Sequence, residues 1–385
     1  MYDVAVIGGG PAGMMAAYRA SRRGLKVVLY DPNRQLGRKL RITGKGRCNL
    51  TNNCDVASVM KNIPGDGRFL YSALNRFGPA EIMAFFESNG VPLKTERGNR
   101  VFPVSDNAND VADCLAGLLK DVTVEHRKLN KLEGARAYII ATGGLSYPKT
   151  GSDGDGYRFA REIGHTVIEP EASLVPLETS DNYDLQGFAP RNVVLRAYED
   201  GKLIYREMGE MLFTHFGVSG PLVLSASSHM RKKAEYTLEI DMKPALDEKK
   251  LDARLLRDFE ENPNKLLSNV LPGLVGKSMA PVMIQLLGFD KPCNSITREE
   301  RIELRTLLKA FPVHVTGKRP VDEAIVTSGG VDTKEVNPRT MQSKLDERVY
   351  FCGEVLNLDA YTGGFNLTIA FATGFVAGEE VLCSQ

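Results

Sequence analysis

Residues 4–13, VAVIGGGPAG, decide the fold. An apolar run of strand length meets Gly8, Gly10 and Gly13, spaced G-x-G-x-x-G, and the stretch from Pro11 to about Arg23 continues at helical spacing. Gly8 permits a tight turn, Gly10 lets a pyrophosphate approach the backbone, and Gly13 lets helix and strand touch. Pro11 and Ala12 open a helix whose free N–H groups bind an anion. A second strand, Lys26 to Tyr30, ends at Asp31, where a carboxylate accepts hydrogen bonds from an adenosine ribose and disfavours a 2′-phosphate. The opening therefore reads as the βαβ start of a parallel sheet that binds FAD or NAD rather than NADP.

Working outward, Gly37 to Asn53 is rich in Gly, Arg, Lys and Asn without either period, which predicts a long loop against a ligand. Helices are expected over Phe69–Asn89 and Asn109–Leu119, and the strand Ala137–Ala141 closes on a second glycine-rich turn. From about Glu169 to Asp241 short β segments (Asn192–Tyr198, Lys202–Glu207, Glu235–Asp241) suit a small barrel, and Leu246 to Phe311 favours helix with breaks near Pro263, Pro272 and Pro292. The tail returns to α/β character: a strand at Arg348–Cys352, Gly353-Glu354, then YTGGFN (361–366) opening a helix whose small residues permit close packing against a sheet. Glu354 or Asp359 suits the ribityl hydroxyls of a flavin, and backbone N–H groups from Gly363 through Gly364 and Phe365 to Asn366 suit the ring where negative charge gathers on reduction. That cradle selects FAD over NAD. The fold class expected is α/β: an FAD-binding Rossmann-like domain (1–168 and 327–385) with an inserted β-barrel-like domain (169–245 and 312–326) and a helical subdomain (246–311).

Composition limits the partners. The 385 residues are 43% hydrophobic and 25% charged, the balance of an ordinary folded chain. Lys and Arg number 49 against 48 Asp and Glu, a net charge of +1 that supplies no field for nucleic acid or anionic lipid, so a small-molecule substrate is expected and nucleic acid is not. Six cysteines without C-x-x-C spacing announce neither a disulfide scaffold nor a zinc site, no metal is expected, and a reducing cytoplasm fits. Asp3 stands where a secretion signal would be basic, and no apolar run reaches membrane-spanning length. Nothing in the pattern fixes an oligomeric state. His165 and the cluster Arg231-Lys232-Lys233 read as structure and solvated surface.

The segments GRKLRITGKGRCNLTN (37–52), ATGGLSYPKTGSDGDGY (141–157), THFGVSGP (214–221) and VYFCGEVLNLDAYTGGFNLTIAFATG (349–374) resemble the bacterial NAD(FAD)-utilising dehydrogenase flavoproteins. That family includes aminoacetone oxidases and a reductase of dehydro-bile-acid intermediates. The resemblance spans nearly the whole chain in order and implies a Rossmann domain of the glutathione-reductase type. It implies FAD contacts at Gly8, Gly10, Gly13, Asp31, Lys39, Gly46, Arg47, Cys48, Thr142, Gly143, Gly353, Glu354, Gly364 and Asn366. Val122 to Arg136 departs from it, being shorter than the meander usual before ATGG.

Arg47 is expected to neutralise pyrophosphate or anchor an anionic substrate. Cys48 and Cys54 are separated by five residues where flavoprotein disulfide reductases use four, so they read as a free thiol and a packed or ligand-side cysteine. His215 and Tyr147 are the candidates for moving a proton beside the flavin. These features point to a flavin-dependent oxidoreductase that transfers hydride to or from a small organic substrate. With a single G-x-G-x-x-G, NAD(P)H would dock transiently as reductant. The alternatives are an amine oxidase of the aminoacetone type releasing hydrogen peroxide, and an FAD-containing binding or accessory protein without turnover.

Overall fold

A computed structural model describes residues 1–181, 183–230 and 234–383; the Arg231-Lys232-Lys233 cluster lies outside the described residues. The chain divides into two compact units, Met1–Ser173 with Pro320–Gln385, and Leu174–Arg319.

The first unit is built on a five-stranded parallel sheet in the order Val349–Phe351, Ala135–Ile140, Tyr2–Ile7, Val27–Tyr30, Val122–Glu125. Its central strand is the apolar run that opens the chain, with Val4, Ala5 and Val6 at most 1% exposed, as a parallel strand covered on both faces requires. Val4 pairs with Val27 on one side and Ala137 on the other. The edge strand Val122–Glu125 falls in the stretch read only as a shortened meander. It is four residues long and half-buried, too short a pattern to stand out.

The last helix, Phe365–Glu380, lies on Pro11–Arg22. A Cβ at Gly374 would stand 2.4 Å from the Ala12 carbonyl oxygen, and one at Gly378 2.4 Å from that of Ala16. The small residues thus serve a helix–helix contact rather than the sheet contact expected of them. The Gly37–Asn53 stretch is also more ordered than a loop: Arg38–Ile42 is a helical turn, and Thr51–Asn52 joins Leu93–Glu96 and Arg100–Pro103 in a small antiparallel sheet. Val167–Ser173, on the expected domain boundary, pairs with Val326–Val331 inside the first unit.

Beside that pairing His165 is fully buried, its Nδ1 3.1 Å from Glu335 Oε2 and its Nε2 2.7 Å from Ser343 Oγ. Burial pushes the imidazole below its ordinary value of 6.5, with the Glu335 charge opposing. Glu335 itself, though desolvated, accepts the Thr166 N–H and hydroxyl and is held below its usual range. A histidine kept neutral in the fold and free to protonate when unfolded contributes stability that is complete above 6.5 and falls as pH drops through that value. Glu335 adds a loss of the same sign below its unfolded value of 4.5. The urea midpoint is therefore expected to fall between about pH 7 and about pH 5, and His165→Gln to flatten that slope.

The second unit carries a seven-stranded antiparallel sheet in the order Lys202–Gly209, Val193–Glu199, Tyr236–Asp241, Phe311–Lys318, Leu177–Thr179, Gly217–Ser219, Leu212–Phe213. Helices between Glu248 and Lys309 are inserted between two strands that pair with each other, Tyr236 opposite Val315. Leu251, Leu255, Leu304 and Leu308 share one core with Leu238, Ile240 and Phe311, so helices and sheet are buried together. Asp247 and Thr297 cap the two longest of these helices, each side chain accepting a first-turn N–H. No helix among the described residues is long and apolar enough to cross a membrane.

Candidate functional site

The three glycines of the opening turn occupy distinct environments. Gly8 has φ +107°, and a Cβ there would lie 2.4 Å from the Ala141 carbonyl oxygen. At Gly13 a Cβ would lie 1.9 Å from the Gly8 oxygen, so strand and helix are in backbone contact. At Gly10 the backbone is extended and a Cβ would meet nothing within 4 Å. The space over Gly10 faces the start of Pro11–Arg22, where Pro11 occupies the first turn and the remaining leading N–H groups have no intrahelical acceptor. Open space over Gly10 at the N-terminus of a twelve-residue helix fits a dinucleotide pyrophosphate.

Asp31 ends the second strand 9% exposed. Its Oδ2 accepts the Gly9 N–H at 2.7 Å, and its Oδ1 accepts the N–H and side-chain amide of Asn33 at 2.8 and 2.9 Å. An ionised carboxylate has about four lone-pair sites, which leaves room for a ribose hydroxyl while the same group fixes the glycine turn.

Further along the sheet, Glu354 collects three other segments. Its carboxylate accepts the Lys39 ammonium at 2.8 and 3.0 Å, the Ser146 hydroxyl at 3.0 Å and the Thr327 N–H at 2.9 Å. Lys39 also reaches Ser146 Oγ at 2.7 Å, and Thr327 Oγ1 accepts the N–H groups of Leu145 and Ser146 at 2.8 and 3.0 Å. The Lys39 and Glu354 side chains are only 21% and 20% exposed. Tyr147 follows in the left-handed region, φ +53°, with the Lys39 nitrogen 5.8 Å from its ring centre. Lys39, Tyr147 and Glu354 are thus brought together. Ser146 and Thr327 complete the group and are not among the sequence candidates; Ser146 lies unremarked in GGLSYP, and VTSGG carries no signal.

Around this group the backbone is again shaped by glycine. Gly143 has φ +76° in the turn after Ala135–Ile140, and next to it Thr142 Oγ1 is buried without a hydrogen-bond partner. A Cβ at Gly353 would lie 2.8 Å from Ala12 Cβ, and the Gly353 N–H donates to Thr373 Oγ1 at 2.9 Å, so the turn after Val349–Phe351 sits against Pro11–Arg22. At Gly364, φ +98°, a Cβ would lie 2.4 Å from Thr51 backbone. Phe365 is 6% exposed. Asn366 closes the preceding loop: its Oδ1 accepts the Ala360 N–H at 2.9 Å and its Nδ2 donates to the Ala360 oxygen at 2.7 Å. It therefore shapes the turn with its side chain. Gly8 to Gly13, Asp31, Lys39, Thr142, Gly143, Gly353, Glu354 and Gly364 to Asn366 all belong to this unit, and the open space over Gly10 with the remaining acceptor sites of Asp31 fits an extended dinucleotide such as FAD.

The loop residues depart from expectation. Arg47 donates to Glu96 Oε1 at 2.5 Å and to Asp106 Oδ1 at 2.8 Å, over the Phe102 ring at 4.2 Å. Two carboxylates already balance its charge. Hydrogen bonds from Arg47 hold Glu96 below the usual carboxylate range, and those from Lys94 and then Arg47 do the same for Asp106. Arg47 thus pins this loop to the small antiparallel sheet. Cys48 is fully buried with φ +59°, and burial pushes its thiol up to about 12, so no nucleophilic thiolate stands here. At neighbouring Gly46, φ +83°, a Cβ would meet nothing within 4 Å. All six cysteines are free. His215 belongs to the second unit. No cluster of three or more His, Cys, Asp or Glu among the described residues could hold a metal ion.

Known proteins align with this chain along most of its length. The family described as HI0933-like protein Rossmann domain matches residues 2–137 and 128–380. A 3-dehydro-bile acid delta(4,6)-reductase of Clostridium scindens is 30% identical over 98% of this chain and 98% of its own. A ribosomal RNA dihydrouridine synthase of Escherichia coli is 29% identical over 100% of this chain and 99% of its own. Among solved structures, a 3-ketosteroid delta1-dehydrogenase from Sterolibacterium denitrificans covers 99% of both chains at a TM-score of 0.52 and 14% identity, a likeness of fold.

Proposed function

The chain belongs to the HI0933-like family and is an FAD-dependent oxidoreductase, and from that premise we propose that it reduces a carbon–carbon double bond conjugated to a carbonyl. One observation carries this reading: two full-length relatives named for unlike substrates share that bond chemistry. A delta(4,6)-reductase of a 3-dehydro bile acid saturates double bonds in line with a ketone, and dihydrouridine is uridine saturated beside its ring carbonyl.

When bound, FAD supplies the hydride for the carbon β to the carbonyl, and NAD(P)H is the reductant. The protein supplies the remainder. The N–H groups after Gly10 hold the pyrophosphate and Asp31 the ribose; Thr142, Gly143, Glu354 and the Gly364–Phe365 turn hold the flavin end. Lys39 and Thr327 hold the Glu354 carboxylate in place. Tyr147, beside Lys39, delivers the proton to the α carbon.

The near-neutral charge argues against nucleic acid, yet the Escherichia coli relative is named for ribosomal RNA, so RNA belongs in the test. FAD-loaded protein with NADH or NADPH, without oxygen, would receive a 3-oxo-4,6-diene steroid in one arm and ribosomal RNA lacking dihydrouridine in the other. One product is expected to gain the mass of two hydrogens per bond. Intact conjugation in both arms, or hydrogen peroxide released on adding an amine in air, would overturn the reading.

A further inference from the structure

The second unit contains a cavity of about 250 Å³ at the end of its sheet, unused by the flavin cradle. It is lined by Asp181, Asp184, Gln186, Thr214, His215 and Phe216 among others. Thr214, His215 and Phe216 form the tip of the hairpin Leu212–Phe213 to Gly217–Ser219, closed by the Thr214 N–H donating to the Gly217 oxygen at 2.8 Å. That closure holds Phe216 as a wall, with the Arg319 guanidinium 4.8 Å from its ring centre and the His215 ring edge-on at 5.0 Å.

The polar groups define what fits. Asp181, its side chain 11% exposed, accepts the His314 N–H at 2.6 Å and faces His314 Nδ1 at 2.9 Å, so its carboxylate is fixed in place. Among the described residues the lining includes two carboxylates and neither Lys nor Arg, which disfavours a phosphate or carboxylate inside. Thr214 Oγ1 is buried without a hydrogen-bond partner, a cost that a ligand group would remove. Gln186 offers both a donor and an acceptor, and Asp184 an acceptor. The volume falls below the ~300 Å³ at which sites for drug-sized molecules begin, so one ring enters and a four-ring steroid does not.

We propose that this cavity binds an uncharged planar ring bearing a carbonyl beside an N–H group, stacked on Phe216, with its N–H toward Asp184 and its carbonyl toward Gln186 and Thr214. Two sources share that chemistry: the uracil of a nucleotide, and the carboxamide-bearing ring of reduced nicotinamide. As an assignment of substrate or reductant it rests on the double-bond reduction proposed above; as a binding site it stands apart from it.

Saturation-transfer NMR on the FAD-loaded protein, with uridine and with reduced nicotinamide mononucleotide in separate samples, tests this. Ring protons of one of the two should be saturated. Gln186→Ala and Thr214→Val should each weaken that binding roughly tenfold while FAD content is unchanged. A uridine signal assigns the cavity to a uracil ring, and a nicotinamide signal assigns it to a carboxamide-bearing ring. Absence of both signals, or parent-like binding by Gln186→Ala, which changes an exposed side chain and leaves the fold intact, overturns the proposal. Ring binding without any double-bond reduction would sink the proposed function, and with it the ring's role as substrate or reductant, and leave the binding site standing.

Discussion

Gly10→Val will yield a folded protein stripped of flavin colour, whereas Gly13→Val will not reach a stable fold. The two glycines lie three residues apart in one motif, yet the structure assigns them opposite tolerances. At Gly10, φ −78° and ψ −178° are open to any residue, and the Cβ position has nothing within 4 Å. A valine there costs the fold little and fills only the hollow before the helix N-terminus. If the pyrophosphate lies in that hollow, FAD affinity should fall by about a hundredfold or more, ~2.8 kcal/mol. At Gly13 the same atom would sit 1.9 Å from the Gly8 oxygen, a backbone group that cannot turn aside. Even alanine there should exceed the ~1–3 kcal/mol usual for an overpacked core. Visible absorbance and thermal melting, compared with parent protein freed of FAD, separate the two effects. A Gly10→Val protein that keeps its colour would remove the pyrophosphate from this site.

That pair also shows why part of the molecule is legible in its sequence. The βαβ opening is a local device, with turn, helix start and second strand all inside the first 31 residues, so spacing alone reveals it. The helical breaks at prolines are equally local. The group around Glu354 is different. Lys39 meets it across 315 residues, and Thr327 meets Leu145 across 182, with no periodicity connecting them. Their residue types are visible in the sequence and their partnership is not. The partners of Arg47 are hidden for the same reason: a guanidinium in a glycine-rich loop suggests an anion, and Asp106, 59 residues on, folds back to meet it. The small residues of the last helix do permit close approach, while the surface approached is set by tertiary packing alone.

The second large effect concerns the Lys39–Glu354 pair. With both side chains about one-fifth exposed, the pair is desolvated enough that removing one partner strands the other. Lys39→Met leaves the Glu354 carboxylate with the Ser146 hydroxyl and Thr327 N–H but no cation, and should cost about 2–3 kcal/mol of unfolding free energy. Glu354→Gln strands the ammonium beside one hydroxyl and should cost a similar amount. The double variant, neutral on both sides, should lose clearly less than the sum, with a coupling of about 2 kcal/mol in urea unfolding of FAD-free protein. Thr327→Val offers a control inside the same group. It removes the acceptor for two N–H donors without touching either charge, so its roughly 2 kcal/mol cost should add to that of Lys39→Met rather than couple with it. Strict additivity of Lys39→Met with Glu354→Gln would mean the two charges are independently solvated. The segments from the loop, the second glycine turn and the turn after Val349–Phe351 would then be joined by their hydroxyls and backbone alone.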